Sequence, residues 1–174
     1  RTDIGLDTGD ILLREKTEIT PVDTAASLSE RLSQMGAKLI VEALRAVETG
    51  KAVFCKQPQD GVTLCKKIRK EECLVDFSKS AQDLSCLIRA MSPEPLAFSH
   101  LHGKLVNFYF SEVTEGDAEG VFGQVIRADK TGIYVLTGNG ILKILELQLE
   151  GGKKLKAADF VNGRKISVGD VFGA

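Results

Sequence analysis

The stretch Val121-Phe122-Gly123-Gln124-Val125-Ile126-Arg127-Ala128-Asp129-Lys130-Thr131-Gly132-Ile133-Tyr134-Val135-Leu136-Thr137 decides the fold of the C-terminal half. Apolar residues alternate over 121–128 and 133–137, around a Lys130-Thr131-Gly132 turn. Alternation with period two marks strands with one buried face, and a short glycine-containing turn between two such runs marks a hairpin. Working outward, the same pattern predicts strands at 96–101, 104–113, 121–128, 131–137 and 140–149. The turns are His102-Gly103, the Thr114–Gly120 loop and Gly138-Asn139-Gly140. Five short strands with tight turns predict a small closed all-β barrel of the OB type over residues 96–174. A short helix near Ala157–Val161 closes it, with Val168–Phe172 packed beside it.

Upstream, the pattern changes. Ile11–Ile19 reads as a strand ended by Pro21. Thr24–Val47 reads as a helix, with Leu28, Leu32, Met35, Leu39, Ala43, Leu44 and Val47 on one stripe. Ser27 and Glu30 have capping-box spacing, with Asp23 or Thr24 as alternative caps, and Thr49-Gly50 stops the helix. A strand followed by an amphipathic helix predicts an α/β edge over residues 1–50. Residues 51–95 read as a linker with a turn at Gln57-Pro58-Gln59-Asp60-Gly61. A second helix follows, capped by Ser78 or Ser80 and ended by Ser92-Pro93.

The totals narrow the class. At 174 residues the chain holds one domain or two small ones. It is 43% hydrophobic and 27% charged, as a folded soluble protein is. It has no 18-residue apolar run and no signal-peptide pattern. It starts at Arg1, inside a glycine-rich stretch, which reads as a truncated start. Net charge is −1, and residues 96–174 carry 9 basic and 9 acidic side chains. An RNA footprint there must therefore come from clustering in space. Cys55, Cys65, Cys73 and Cys86 form no C-x-x-C pair, so neither zinc nor disulfides are expected. His100 and His102 share a hairpin face with no third ligand nearby, and read as surface residues.

The sharpest local motif is Gly5-Leu6-Asp7-Thr8-Gly9-Asp10, an acid between two glycines ahead of a strand. A carboxylate held in such a turn can orient a water or a histidine, or accept a proton. The plainer reading is an ordinary turn. A third is the Asp-Thr-Gly of aspartic proteases, but those need two copies, and this chain has one beside a long helix. Gly151-Gly152-Lys153-Lys154-Leu155-Lys156 lacks phosphate-loop spacing; it is a solvated turn or a contact for an RNA backbone.

Taken in order, these segments resemble the methionyl-tRNA formyltransferase family. Gly5-Leu6-Asp7-Thr8-Gly9-Asp10-Ile11-Leu12 resembles the motif that ends its catalytic region. Leu28-Ser29-Glu30-Arg31-Leu32 through Gly36-Ala37, Ile88-Arg89-Ala90-Met91-Ser92-Pro93-Glu94-Pro95, Gly138–Gln148, Gly151–Lys154 and Asp159–Gly163 match later family motifs. The family has Trp where this chain has Phe77 and Glu94, and the chain contains no Trp.

The resemblance implies formyl transfer from 10-formyltetrahydrofolate to the amino group of methionyl initiator tRNA, without a metal. It implies that Asp7 is catalytic, positioning a histidine and a water and helping to remove the amine proton. The partner Asn and His and the folate loop lie upstream, so the 174 residues alone are expected to be inactive. It further implies tRNA contacts at Arg89, Lys153 and Lys154, no membrane, a cytoplasmic location and a monomer. Two rivals remain: a formyltransferase acting on an amino-sugar nucleotide, and a non-enzymatic OB-fold nucleic-acid-binding module.

Overall fold

The computed structural model describes residues 2–58, 60–116 and 118–173. Arg1 of the expected start, Gln59 of the expected turn and Asp117 of the expected loop lie outside these. The chain divides into two compact units, one of Arg1–Asp23 with Ser27–Lys67, the other of Thr24–Ala26 with Ile68–Ala174. The segment read as linker and helix, 51–95, is thus divided between them.

The first unit is built around α1 (Ala25–Glu48), which it contains from Ser27 onward. The apolar stripe forms as expected, yet no residue of α1 is buried. Leu32, Ile40, Leu44 and Val47 are each about half exposed. Ile11, Leu12 and Leu13 line a 370 Å³ groove with Gly36, Leu39, Ile40 and Ala43 of α1. The expected strand over 11–19 reduces to one bridge, Ile11 with Cys55. A strand needs a neighbour for its backbone groups, and the described residues of this unit supply only those at Cys55.

Asp23 anchors the approach to α1. Its buried carboxylate accepts from the Thr20 backbone N–H at 2.8 Å and from Ser27 Oγ at 3.1 Å. Arg31 donates to it through two nitrogens, at 2.9 and 2.8 Å. The Arg31 guanidinium, then the Thr20 N–H, hold the carboxyl well below the usual carboxylate range. Ser27 therefore serves the Asp23 cluster, a role that the capping-box spacing does not announce.

The second unit is an antiparallel sheet with two helices. Its strands are β1 (Ala97–Leu101), β2 (Lys104–Thr114), β3 (Val125–Asp129), β4 (Gly132–Leu136), β5 (Ile141–Leu149) and β6 (Leu155–Lys156). The order is β1-β2-β5-β4-β3, with β6 added to β5. Val106 and Phe108 of β2, Ile133 and Val135 of β4, and Leu142 and Ile144 of β5 face the core at every second position. On β5 the buried parity shifts between Ile144 and Leu147, where the β2–β5 register shifts near Phe110. An extra residue in one strand turns all later side chains to the other face, so pattern and bulge move together. α2 (Ala81–Ala90) is capped by Ser80 Oγ, which accepts from the Asp83 N–H, and it buries Ala81, Leu84 and Ile88. α3 (Ala157–Asn162) buries Phe160.

The expected closed barrel does not form. β1 and β3 are the edges of the sheet and do not pair with each other. Both instead bond the C-terminal segment. Val125 N–H donates to the Asp170 carbonyl at 2.7 Å, Phe172 N–H to Gly123 at 2.9 Å, and Gly173 N–H to His100 of β1 at 2.9 Å. These bonds satisfy edge groups that strand pairing would satisfy in a barrel. Phe172 brings its ring to the core beside Phe77, centroids 5.7 Å apart. Gly138 has a steric reason: its N–H donates to the Phe77 carbonyl at 3.0 Å, and a Cβ there would collide with the Ser78 carbonyl oxygen.

Candidate functional site

The Gly5–Asp10 motif folds as a turn in the first unit. Asp7 sits at φ 53°, a left-handed conformation that Asp tolerates better than most residues. The turn is held from three directions. On its N-terminal side, Asp3 accepts from the Ile4 N–H at 2.8 Å and from Thr8 Oγ1 at 3.1 Å. Gly5 must be small there, since a Cβ would meet Thr8 Oγ1 at 2.5 Å. On its C-terminal side, Ile11 and Cys55 exchange two backbone bonds of 2.8 Å. Across the middle, Gln57 Nε2 donates to the carbonyls of Asp7 at 2.8 Å and Gly9 at 2.7 Å.

These bonds present Asp7 at an open cleft of 760 Å³, with Leu6 and Thr8 beside it and Val62, Leu64 and Cys65 among its other lining residues. Asp7 is exposed and its carboxylate faces no cation in an ion pair among the described residues. Chemically this is a carboxylate on a pinned turn, open to a reactant and able to accept a proton or orient a donor. The sequence singles out Asp7 but offers Gln57 only as part of a turn; the carbonyls that its side chain bonds lie 50 and 48 residues away.

The basic residues expected to meet tRNA lie in the second unit. Arg89 is in the last turn of α2, with Nη2 3.4 Å from Cys86 Sγ. Lys153 and Lys154 follow β5 in an exposed turn. Lys154 pairs with Glu146 at 2.6 Å and lies 4.7 Å from the centre of the Tyr109 ring. Lys153 makes no ion pair with a described residue. On the same sheet Arg127 pairs with Asp129, whose carboxyl is lowered to about 2, chiefly by bonds from Thr131 and then by Arg127.

His102 Nε2 lies 3.0 Å from Asp170 Oδ1, tying the β1–β2 turn to the C-terminal segment. All four cysteines are free thiols; burial, then Glu72 and Glu71, push the Cys73 thiol up. Among the described residues, no group of three or more His, Cys, Asp or Glu could hold a metal ion. Among the described residues, no helix is long and apolar enough to cross a membrane.

Comparison with known proteins shows the family. The family model described as "Formyl transferase, C-terminal domain" matches residues 67–165. A methionyl-tRNA formyltransferase of Methylacidiphilum infernorum is 39% identical over 98% of this chain and 55% of its own length. The one from Geotalea uraniireducens is 42% identical over 98% of this chain and 54% of its own length. The chain thus spans about half the length of the curated relatives it matches. Among solved structures, HypX from Aquifex aeolicus superposes with a TM-score of 0.70 at 19% identity, covering 96% of this chain and 30% of HypX. HypX in complex with tetrahydrofolic acid gives 0.69, covering 95% and 29%. At that identity the likeness concerns the fold. With the family model covering more than half of its residues, this chain belongs to the formyl transferase family through its C-terminal domain.

Proposed function

We propose that the chain is the C-terminal portion of a methionyl-tRNA formyltransferase, which moves a formyl group from 10-formyltetrahydrofolate to the amino group of methionyl initiator tRNA. The observation that carries this reading is the continuous match to proteins of that name across 98% of the chain, Asp7 turn included. In the reaction the methionine nitrogen attacks the formyl carbon. A new C–N bond forms, the bond to the folate nitrogen breaks, and the amine gives up a proton. Asp7, pinned at an open cleft, orients the groups that receive that proton. The exposed stripe of α1 fits a helix covered by the half of the enzyme that this chain does not span.

In this reading residues 1–50 are the edge of the catalytic domain, 51–95 the linker and its helix, and 96–174 an OB-like surface for tRNA. The enzyme works as a cytoplasmic monomer, without a metal. Arg89, Lys153 and Lys154 contact the RNA backbone. Lys153, free of ion pairs with the described residues, is available at once; Lys154 must first leave Glu146.

The test is tRNA affinity of the full-length protein as a function of salt. Each phosphate contact contributes a slope of about 0.7–0.9 in log K against log salt. Lys153→Ala is expected to reduce the slope by nearly one contact, and Lys154→Ala by less, because Glu146 already neutralises part of its charge. Slopes identical to wild type in both variants would remove these lysines from the interface.

A further inference from the structure

The geometry points to Gln57 as a positioning residue for Asp7: its side-chain amide holds the turn that aims the carboxylate. This rests on the reading of Asp7 as a catalytic group.

Gln57 is exposed, so it adds little to any core. Its Nε2 carries two hydrogens, and the carbonyls of Asp7 and Gly9 take both, at 2.8 and 2.7 Å. The Asp7 carbonyl sets the plane of the peptide that leaves Asp7, and therefore its ψ. With φ at 53°, that ψ fixes the direction of the Cα–Cβ bond. A residue held at positive φ relaxes unless its surroundings over-determine it. Asp3 and the Ile11–Cys55 bridge fix the two ends of the turn, while Gln57 acts at Asp7 itself. The Ile11–Cys55 bridge also brings Gln57 to the turn: two residues beyond Cys55, it reaches back over the carbonyls ahead of Ile11.

Displacing a reacting group by about 1 Å can cost about 10²-fold in rate. The experiment compares steady-state formyl transfer by full-length wild type, Gln57→Ala, Gln57→Glu, Asp7→Asn and the Asp7→Asn/Gln57→Ala double variant. Gln57→Glu keeps the length but removes both donors and sets an anion against two carbonyls. We expect both single Gln57 variants to lose about 10- to 100-fold in kcat. KM for tRNA and for the formyl donor should stay within about threefold, with Tm unchanged. A group that acts through Asp7 has nothing to act on once Asp7 is gone, so Gln57→Ala should cost less than about threefold in the Asp7→Asn background.

Wild-type kcat in both Gln57 variants would overturn the inference, as would an equal loss in the Asp7→Asn background, or loss that tracks a fall in Tm. Full activity of Asp7→Asn would sink the reading of Asp7 and this inference together. Loss in Asp7→Asn with none in the Gln57 variants would sink the inference alone.

Discussion

Asp7→Asn in the full-length protein is expected to lower the kcat of the proposed formyl transfer by about 10²–10⁴-fold, the cost that loss of a positioned acid–base group carries. The substitution isolates the chemistry. Asn matches Asp in size and tolerates φ 53° as well as Asp does. Gln57 bonds the backbone carbonyls of residues 7 and 9, so replacing the side chain leaves those bonds in place. Only the negative charge and the proton-accepting oxygen disappear. KM for tRNA should therefore barely move and Tm should stay at the wild-type value. Steady-state kinetics with calorimetry on the same preparations checks this. A kcat within about threefold of wild type would return Asp7 to the role of an ordinary turn residue.

The largest stability effect is expected at Phe108→Ala. Phe108 is fully buried on β2, between Ala97 of β1 and Leu147 of β5. Its ring meets Phe172 at 5.5 Å and Phe77 at 6.4 Å, both edge-on. These contacts join three separate parts of the chain: the segment before α2, the sheet, and the C-terminal strap that bonds both edge strands. Removing a buried phenyl ring costs about 3–5 kcal/mol, transfer and cavity together. In a domain of this size that lowers Tm by upwards of about 10 °C. Lys104→Ala, at an exposed position on the same strand, should stay within about 0.5 kcal/mol. Equal unfolding curves for Phe108→Ala and wild type would mean that the aromatic junction does not hold the unit together.

Much of the second unit was legible because its information is local. Alternation gave β2, β4 and β5 to within a residue or two, and of the two serines offered as caps, Ser78 and Ser80, it is Ser80 that starts α2. Closure was misread, because strand count does not determine whether two edges meet. Here the edges β1 and β3 are served by residues 169–173, a segment whose bonding depends on where Phe172 finds the core. In the first unit the helix was legible, whereas the strand read over 11–19 does not form beyond one bridge, since a strand exists only with its neighbour. At the site, Asp7 stood out through its flanking glycines. Gln57 and the Asp23–Arg31 pair did not, because a hydrogen bond across 50 residues, or between a loop and a helix turn, leaves no periodicity to read.

The most direct measurement is transfer of labelled formyl from 10-formyltetrahydrofolate by the full-length wild-type protein, offered initiator methionyl-tRNA and, separately, a nucleotide-linked amino sugar. The account predicts label on the methionine amino group of the tRNA and none on the sugar. Label on the sugar amine, or no transfer to methionyl-tRNA at all, would contradict it.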